Sequence, residues 1–148
     1  MSTHWELARE VIKKFSTNDP IVIADYFDIE VWYENLPPHI GGFFTRIFDS
    51  AYIVINSEKP WPWQRAIAAH ELGHALLHND SHTFLATSNF VTHSKIEREA
   101  NQFAAALLVG DETPVENESI YEFARRISVP VEFVQSLHED FFLGGRLT

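Results

Sequence analysis

The chain has 148 residues, 45% hydrophobic and 14% aromatic, with only 6 Gly and 7 Pro, which describes a globular domain and excludes a disordered or fibrous one. Lys and Arg number 11 against 21 Asp and Glu, and a net charge of -10 without a basic cluster argues against direct nucleic-acid binding. The absence of cysteine excludes disulfides, thiolate ligands and a Cys nucleophile, so any metal must be held by His, Asp or Glu.

The opening segment MSTHWELAREVIKKF sets Trp5, Ala8, Val11, Ile12 and Phe15 at helical spacing among charged residues, which predicts a surface helix. It lacks an uninterrupted apolar run followed by a small-residue cleavage site, so secretion is not indicated. Asn18-Asp19-Pro20 stops that helix and starts another: Asp19 can cap, Pro20 suits the first helical position, and Ile21 to Phe27 follow as a short helix. Ile29 to Tyr33, the FFTRIF run after Gly41-Gly42, and Ala51 to Asn56 are rich in β-branched and aromatic residues and read as strands. They predict a small antiparallel sheet of about three strands, with Asp49-Ser50 turning between the last two.

Pro60-Trp61-Pro62-Trp63 punctuates the chain, and a helical pattern runs from Gln64 to His78. A polar interval, Asn79 to Ser94, leads to a second strong helix, Lys95 to Val109, ended by Gly110. Ser119 to Ile127 and Pro130 to His138 read as a last helical pair, whose apolar stripe is expected to close the core of the same domain. Trp61, Trp63, Phe43 and Phe44 are read as packing residues. The longest apolar run, Phe103 to Val109, is far short of the roughly 20 residues that span a membrane. The expectation is a soluble cytoplasmic protein with a single domain over residues 1–148.

Within HELGHALLH, His70, Glu71 and His74 form H-E-x-x-H. Residues four apart on a helix share a face, so both imidazoles can reach one metal ion. Glu71 projects about 100° round the helix, beside the metal, where it can take a proton from water as general base. Two uncompensated imidazoles and a carboxylate among Ile67, Ala69, Leu72, Leu76 and Leu77 would be costly to bury, and a metal removes that cost.

A catalytic zinc site needs a third protein ligand. His78 lies about 12 Å along the helix axis from His70, too far to converge on the same ion, and is expected to contact solvent or a ligand's outer side. Asp80 falls ten residues after the first His, where some zinc peptidases place a ligand, but Leu77 stands where those chains need a turning Gly. Glu97 is the better candidate. It shares a face with Asn101 in KIEREANQFAAALL, and Ala100, Ala104 and Ala105 allow the close helix packing that would aim it at the metal. Asn101 can then bond a ligand's free ring nitrogen, while Glu99 reads as part of a solvated Glu/Arg/Glu face.

With HELGHALLH and EREANQFAAALL both in place, the chain resembles the ImmA/IrrE-type metallopeptidases, a gluzincin-like family of bacteria, phages and mobile elements. The similarity extends to DPIVIADYFDIEVWY and AYIVIN, and so covers most of the chain. It implies an α+β fold, with the small sheet packed against a zincin-like helical core, and zinc on His70, His74 and Glu97 with Glu71 as base. Relatives often follow the two leucines with Met-Pro, whereas here Leu107-Leu108 leads into Val109-Gly110-Asp111, away from every proposed ligand. Some relatives act as anti-repressors and others in stress-response regulation or toxin-antitoxin operons, so the resemblance implies a zinc-dependent endopeptidase that cleaves a DNA-binding repressor of phage or mobile-element type or a similar regulatory protein.

The alternative is a non-catalytic, metal-containing module that regulates a repressor by docking, against which the intact Glu71 speaks. Direct control through DNA contact finds little support in the charge, and the peptide deformylases that share H-E-x-x-H typically use a Cys ligand that this chain lacks. Tyr52, His82 and His93 are the candidates for stabilising an oxyanion. The strand Ala51 to Asn56 is read either as a free edge for an extended substrate or as an interior core strand.

Overall fold

The computed structural model describes residues 3–78, 86–87 and 94–143. Two helices open the chain, α1 (Thr3–Phe15) and α2 (Pro20–Tyr26), followed by strands β1 (Ile29–Glu34), β2 (Ile40–Ile47) and β3 (Ser50–Asn56). Helix α3 (Trp61–Leu77), a two-residue strand β4 (Ala86–Thr87), and helices α4 (Lys95–Val109), α5 (Ile120–Ile127) and α6 (Val131–Leu143) complete the order. The fold is α+β, as expected. Among the described residues no helix is long and apolar enough to cross a membrane.

The short helix α2 forms as its sequence dictates: the Asp19 carboxylate accepts from the Ile21 N–H at 2.9 Å, and Pro20 occupies the first helical turn. Helix α3 begins at Trp61, three residues before the expected start, because Pro62 fits a helix's first turn as readily as it breaks a later one. Trp61 is no packing anchor: it is exposed, with the Arg65 guanidinium 5.9 Å over its ring. Trp63 does pack, edge-on to Phe133 at 5.9 Å.

The sheet is mixed, in the order β1-β3-β2-β4, and not antiparallel throughout. β2 and β3 form the expected antiparallel hairpin, but Ile47 pairs with Ser50, so the turn is Phe48-Asp49 and Phe48 takes the positive φ of 56°. β1 pairs parallel with β3, Ile29 opposite Ala51 through Glu34 opposite Asn56. β3 is therefore an interior strand, and its reading as a free edge for substrate is corrected.

The connection from β1 to β2 must step across the width of β3, and the buried Asn56 at the end of β3 holds it in place. Its amide donates to the carbonyls of Leu36, Pro37 and Ile40, and its oxygen accepts from the N–H groups of Leu36 and Glu58. Nothing in its sequence neighbourhood had marked Asn56 out.

Alternation along β3 turns Ala51, Ile53 and Ile55 into the core, where they join Phe44 of β2. Helix α3 covers that face so closely that a Cβ at Gly42 would sit 2.7 Å from Ile67 Cγ2 and 2.3 Å from the Val54 carbonyl oxygen. Every residue of α3 from Ala66 to Ala75 is buried, which makes it the central helix of the fold. Helices α1, α4, α5 and α6 complete the core through Val11, Phe103, Phe123 and Val134, so the apolar stripe of the last two helices packs inward as expected.

Candidate metal centre

Gly73 lets α4 lie directly on α3: a Cβ there would meet Phe103 Cδ2 at 3.1 Å and the Ala100 Cα and carbonyl oxygen at 3.3 Å. This contact sets the register of the two helices and brings the start of α4 over His70 and His74. Ser94 caps α4, its hydroxyl accepting from the Glu97 N–H at 3.2 Å. Ser94 and Glu97 have the spacing of a capping box, as do Ser119 and Glu122 at the start of α5. In α5 the glutamate completes the box by accepting from the Ser119 N–H at 2.8 Å. In α4 both Glu97 carboxylate oxygens face the histidines instead, Oε1 at 3.0 Å from His70 Nε2 and Oε2 at 3.1 Å from His74 Nε2.

The three residues each present one donor atom, all within 4.8 Å of one another, and can hold a single metal ion. The outer side of each imidazole is anchored. His70 Nδ1 donates to Asn101 Oδ1 at 2.7 Å, the contact expected of Asn101, and His74 Nδ1 lies 3.1 Å from His78 Nδ1. Glu71 is fully buried with Oε2 3.9 Å from His70 Nε2, and neither of its carboxylate oxygens makes a hydrogen bond. His74 Nε2 is likewise buried without one, since its approach to Glu97 is close but not directed as a hydrogen bond.

Burial governs the electrostatics. It pushes the Glu71 carboxyl up to about 7; the His70 charge opposes the rise and the Glu97 charge adds to it. Burial also works against the ionised Glu97, but the hydrogen bond to His70 and the close approach of the His74 imidazole outweigh it and hold that carboxyl well below the usual carboxylate range. His70 is depressed by burial yet ends above its ordinary value through the Glu97 hydrogen bond, the neighbouring charges and Asn101, while desolvation keeps His74 below its own. Two carboxylates 26 positions apart are thus driven in opposite directions, one towards holding a proton near neutrality and the other towards permanent charge.

A family profile described as the IrrE N-terminal-like domain, peptidase M78, matches residues 24–136 and so spans the whole cluster. The chain belongs to this metallopeptidase family. An "uncharacterized immunity region protein 2" of Bacillus phage phi105 is 38% identical to this M78 member over 104 residues. That match takes in 70% of this chain and 66% of the phage protein, so the chain spans just under two thirds of its relative's length. No solved structure matches.

The M78 chain therefore brings His70, Glu71, His74 and Glu97 together. His78 stays outside the donor triangle and touches His74 from behind. Glu99 is corrected from a solvated face: it is partly covered, and its Oε1 lies 2.9 Å from His78 Nε2. The continued i, i+4 spacing of His70, His74 and His78 was the signal that could have found the His74–His78 contact, whereas nothing in the sequence marked its extension to Glu99. Tyr52 sits on β3 with its ring 6.4 Å from Trp32, and Asp80, His82 and His93 lie outside the described residues.

Proposed function

We propose that this protein is a zinc-dependent endopeptidase of the cytoplasm that cleaves a DNA-binding repressor or a similar regulator of a phage or mobile element. The observation that carries the reading is Glu71, a fully buried carboxylate with no hydrogen-bond partner, set beside three converging donor atoms. Packing gives such a group no compensation for its desolvation. A reaction that needs a proton acceptor gives a reason to keep it there.

Two imidazoles and a carboxylate suit zinc and leave an open coordination position, and each imidazole has the outer contact that metal-ligating histidines usually have. His70, His74 and Glu97 are the proposed ligands. Zinc bound there supplies Lewis acidity towards a peptide carbonyl and towards water. Glu71, with its carboxyl near 7, takes the proton as water attacks the scissile carbonyl and returns it to the departing amine, so that the C–N bond breaks with the proton balance closed.

The regulator is inferred from the phage immunity-region relative, together with a net charge of -10 that disfavours direct contact with DNA. Residues 1–148 are taken as one domain, because Phe123, Ala124, Phe133 and Val134 of the last helices belong to the same buried cluster as α3 and the sheet.

The test is cleavage of phage-type repressor proteins, assayed with the purified zinc-loaded protein and with Glu71→Gln. The variant is expected to retain zinc and lose about 10²–10⁴-fold in rate. A variant that cuts at the wild-type rate removes Glu71 from the mechanism. A wild type that binds a repressor without cutting it makes the docking module the better account.

A further inference from the structure

We propose that His78 and Glu99 are positioning residues, a two-membered chain that fixes the His74 imidazole with a bare Nε2 aimed at the metal. The proposal rests on the zinc site described above and adds to it two residues outside the H-E-x-x-H and Glu97 set.

With His78 as the neutral imidazole, the chain has a single hydrogen-bond polarity. A carboxylate only accepts, so His78 Nε2, 2.9 Å from Glu99 Oε1, carries a proton. In the neutral His78 ring the Nδ1 atom is then a lone pair, and it accepts from His74 Nδ1–H at 3.1 Å. That assignment leaves His74 Nε2 unprotonated, facing Glu97 Oε2 at 3.1 Å and making no hydrogen bond. A buried lone pair without a donor is costly alone and is what a metal ion satisfies.

The geometry is built by both helices. His78 ends α3, its backbone N–H bonded to the His74 carbonyl at 2.8 Å, and its ring continues the line of His70 and His74 with centroids 4.8 Å and then 5.2 Å apart. Glu99 stands two residues beyond Glu97 in α4, so the same helix supplies a proposed ligand and the anchor of the other ligand's orienting chain. Lys95 Nζ approaches the second Glu99 oxygen at 4.0 Å. Asn101 does for His70 in one step what His78 and Glu99 do for His74 in two. A carboxylate that orients a metal-bound imidazole ordinarily touches it directly, and here a second imidazole is interposed.

The experiment compares full-length wild type, His78→Phe, His78→Asn, Glu99→Ala and Glu97→Ala. Zinc affinity is measured by competition with a chelator, the visible spectrum with cobalt(II) in place of zinc, and folding by circular dichroism. Phe keeps the ring without nitrogens, whereas the Asn oxygen falls close to where His78 Nδ1 sits.

His78→Phe and Glu99→Ala are expected to fold, to bind zinc about 10–100-fold more weakly, and to shift the cobalt spectrum. His78→Asn is expected to recover part of the affinity and of the spectrum. Wild-type affinity and spectrum in His78→Phe would overturn the positioning role alone, as would equal losses in the Phe and Asn variants. A wild type that binds no zinc, or binding untouched by Glu97→Ala, would overturn the zinc site and this proposal with it.

Discussion

Two buried polar centres lie within one small fold and are treated in opposite ways. Asn56 has no exposed surface, yet both its amide nitrogen and its oxygen are fully engaged, with three carbonyls and two N–H groups of the β1–β2 connection and the turn after β3. Glu71 is buried as deeply and has no hydrogen bond at either oxygen. Both side chains cost desolvation, but only the first recovers it within the fold. The difference separates a polar residue whose partners lie within the fold from one proposed to serve as a base, and it can be tested from either side.

The largest expected effect is at the metal cluster. Glu97→Ala should reduce bound zinc from roughly one per chain to a small fraction, measured by mass spectrometry of protein purified without added metal, because two imidazoles alone make a poor site. Full zinc content in that variant would move the third ligand elsewhere. Next is Asn56→Asp, which keeps the shape but turns a donor towards three carbonyls into an acceptor. A loss of roughly 2–4 kcal/mol and a melting point lower by roughly 5–15 °C are expected, with zinc stoichiometry unchanged. If Asn56→Asp melted like the wild type, the contrast between the two centres would collapse.

The pH dependence sharpens the same contrast. In the metal-free protein the Glu71 carboxyl sits near 7 against 4.5 ordinarily, so between those values the folded chain holds more protons than the unfolded one. Stability from this group is therefore intact below about 4.5 and falls as pH rises to about 7, by on the order of 3 kcal/mol. Glu71→Gln does not titrate, so its urea midpoint should gain on the wild type from pH 4.5 to pH 7.5; parallel curves would show a well-solvated carboxyl. The smallest effect is expected at Gly73→Ala. There the clash with the Ala100 backbone outweighs the gain in helix propensity, and a net loss of roughly 1 kcal/mol with weaker zinc binding should follow. Unaltered zinc affinity would mean that the site tolerates a shift of α4 over α3.

The H-E-x-x-H group was legible because its geometry is local: four residues make about one helical turn, whatever surrounds them. Glu97 was legible because its helix carries its own small-residue face and because the two motifs together resemble a known family. Glu99 was not, since an exposed-looking Glu-Arg-Glu run looks the same whether or not a histidine from another helix reaches it. The sheet was misjudged for a related reason. β1, β2 and β3 are each evident from their β-branched and aromatic residues, but the parallel pairing of β1 with β3 is set between distant segments, and Asn56 holds the β1–β2 connection through backbone groups 16 to 20 positions away.

By itself, then, the sequence determined the main helices and the three longer strands, that any metal would rest on His and carboxylate, and which residues were candidates for the site. All of these follow from periodicity and donor type within short windows. Only the tertiary structure decided the order of the strands, the diversion of Glu97 from a helix cap to the histidines, and the hydrogen-bonded line from Glu99 through His78 to His74. These arise where distant segments are pressed together, at Gly42 under α3 and Gly73 under α4, and a small-residue face announces close packing without saying which distant residues it will bring into contact.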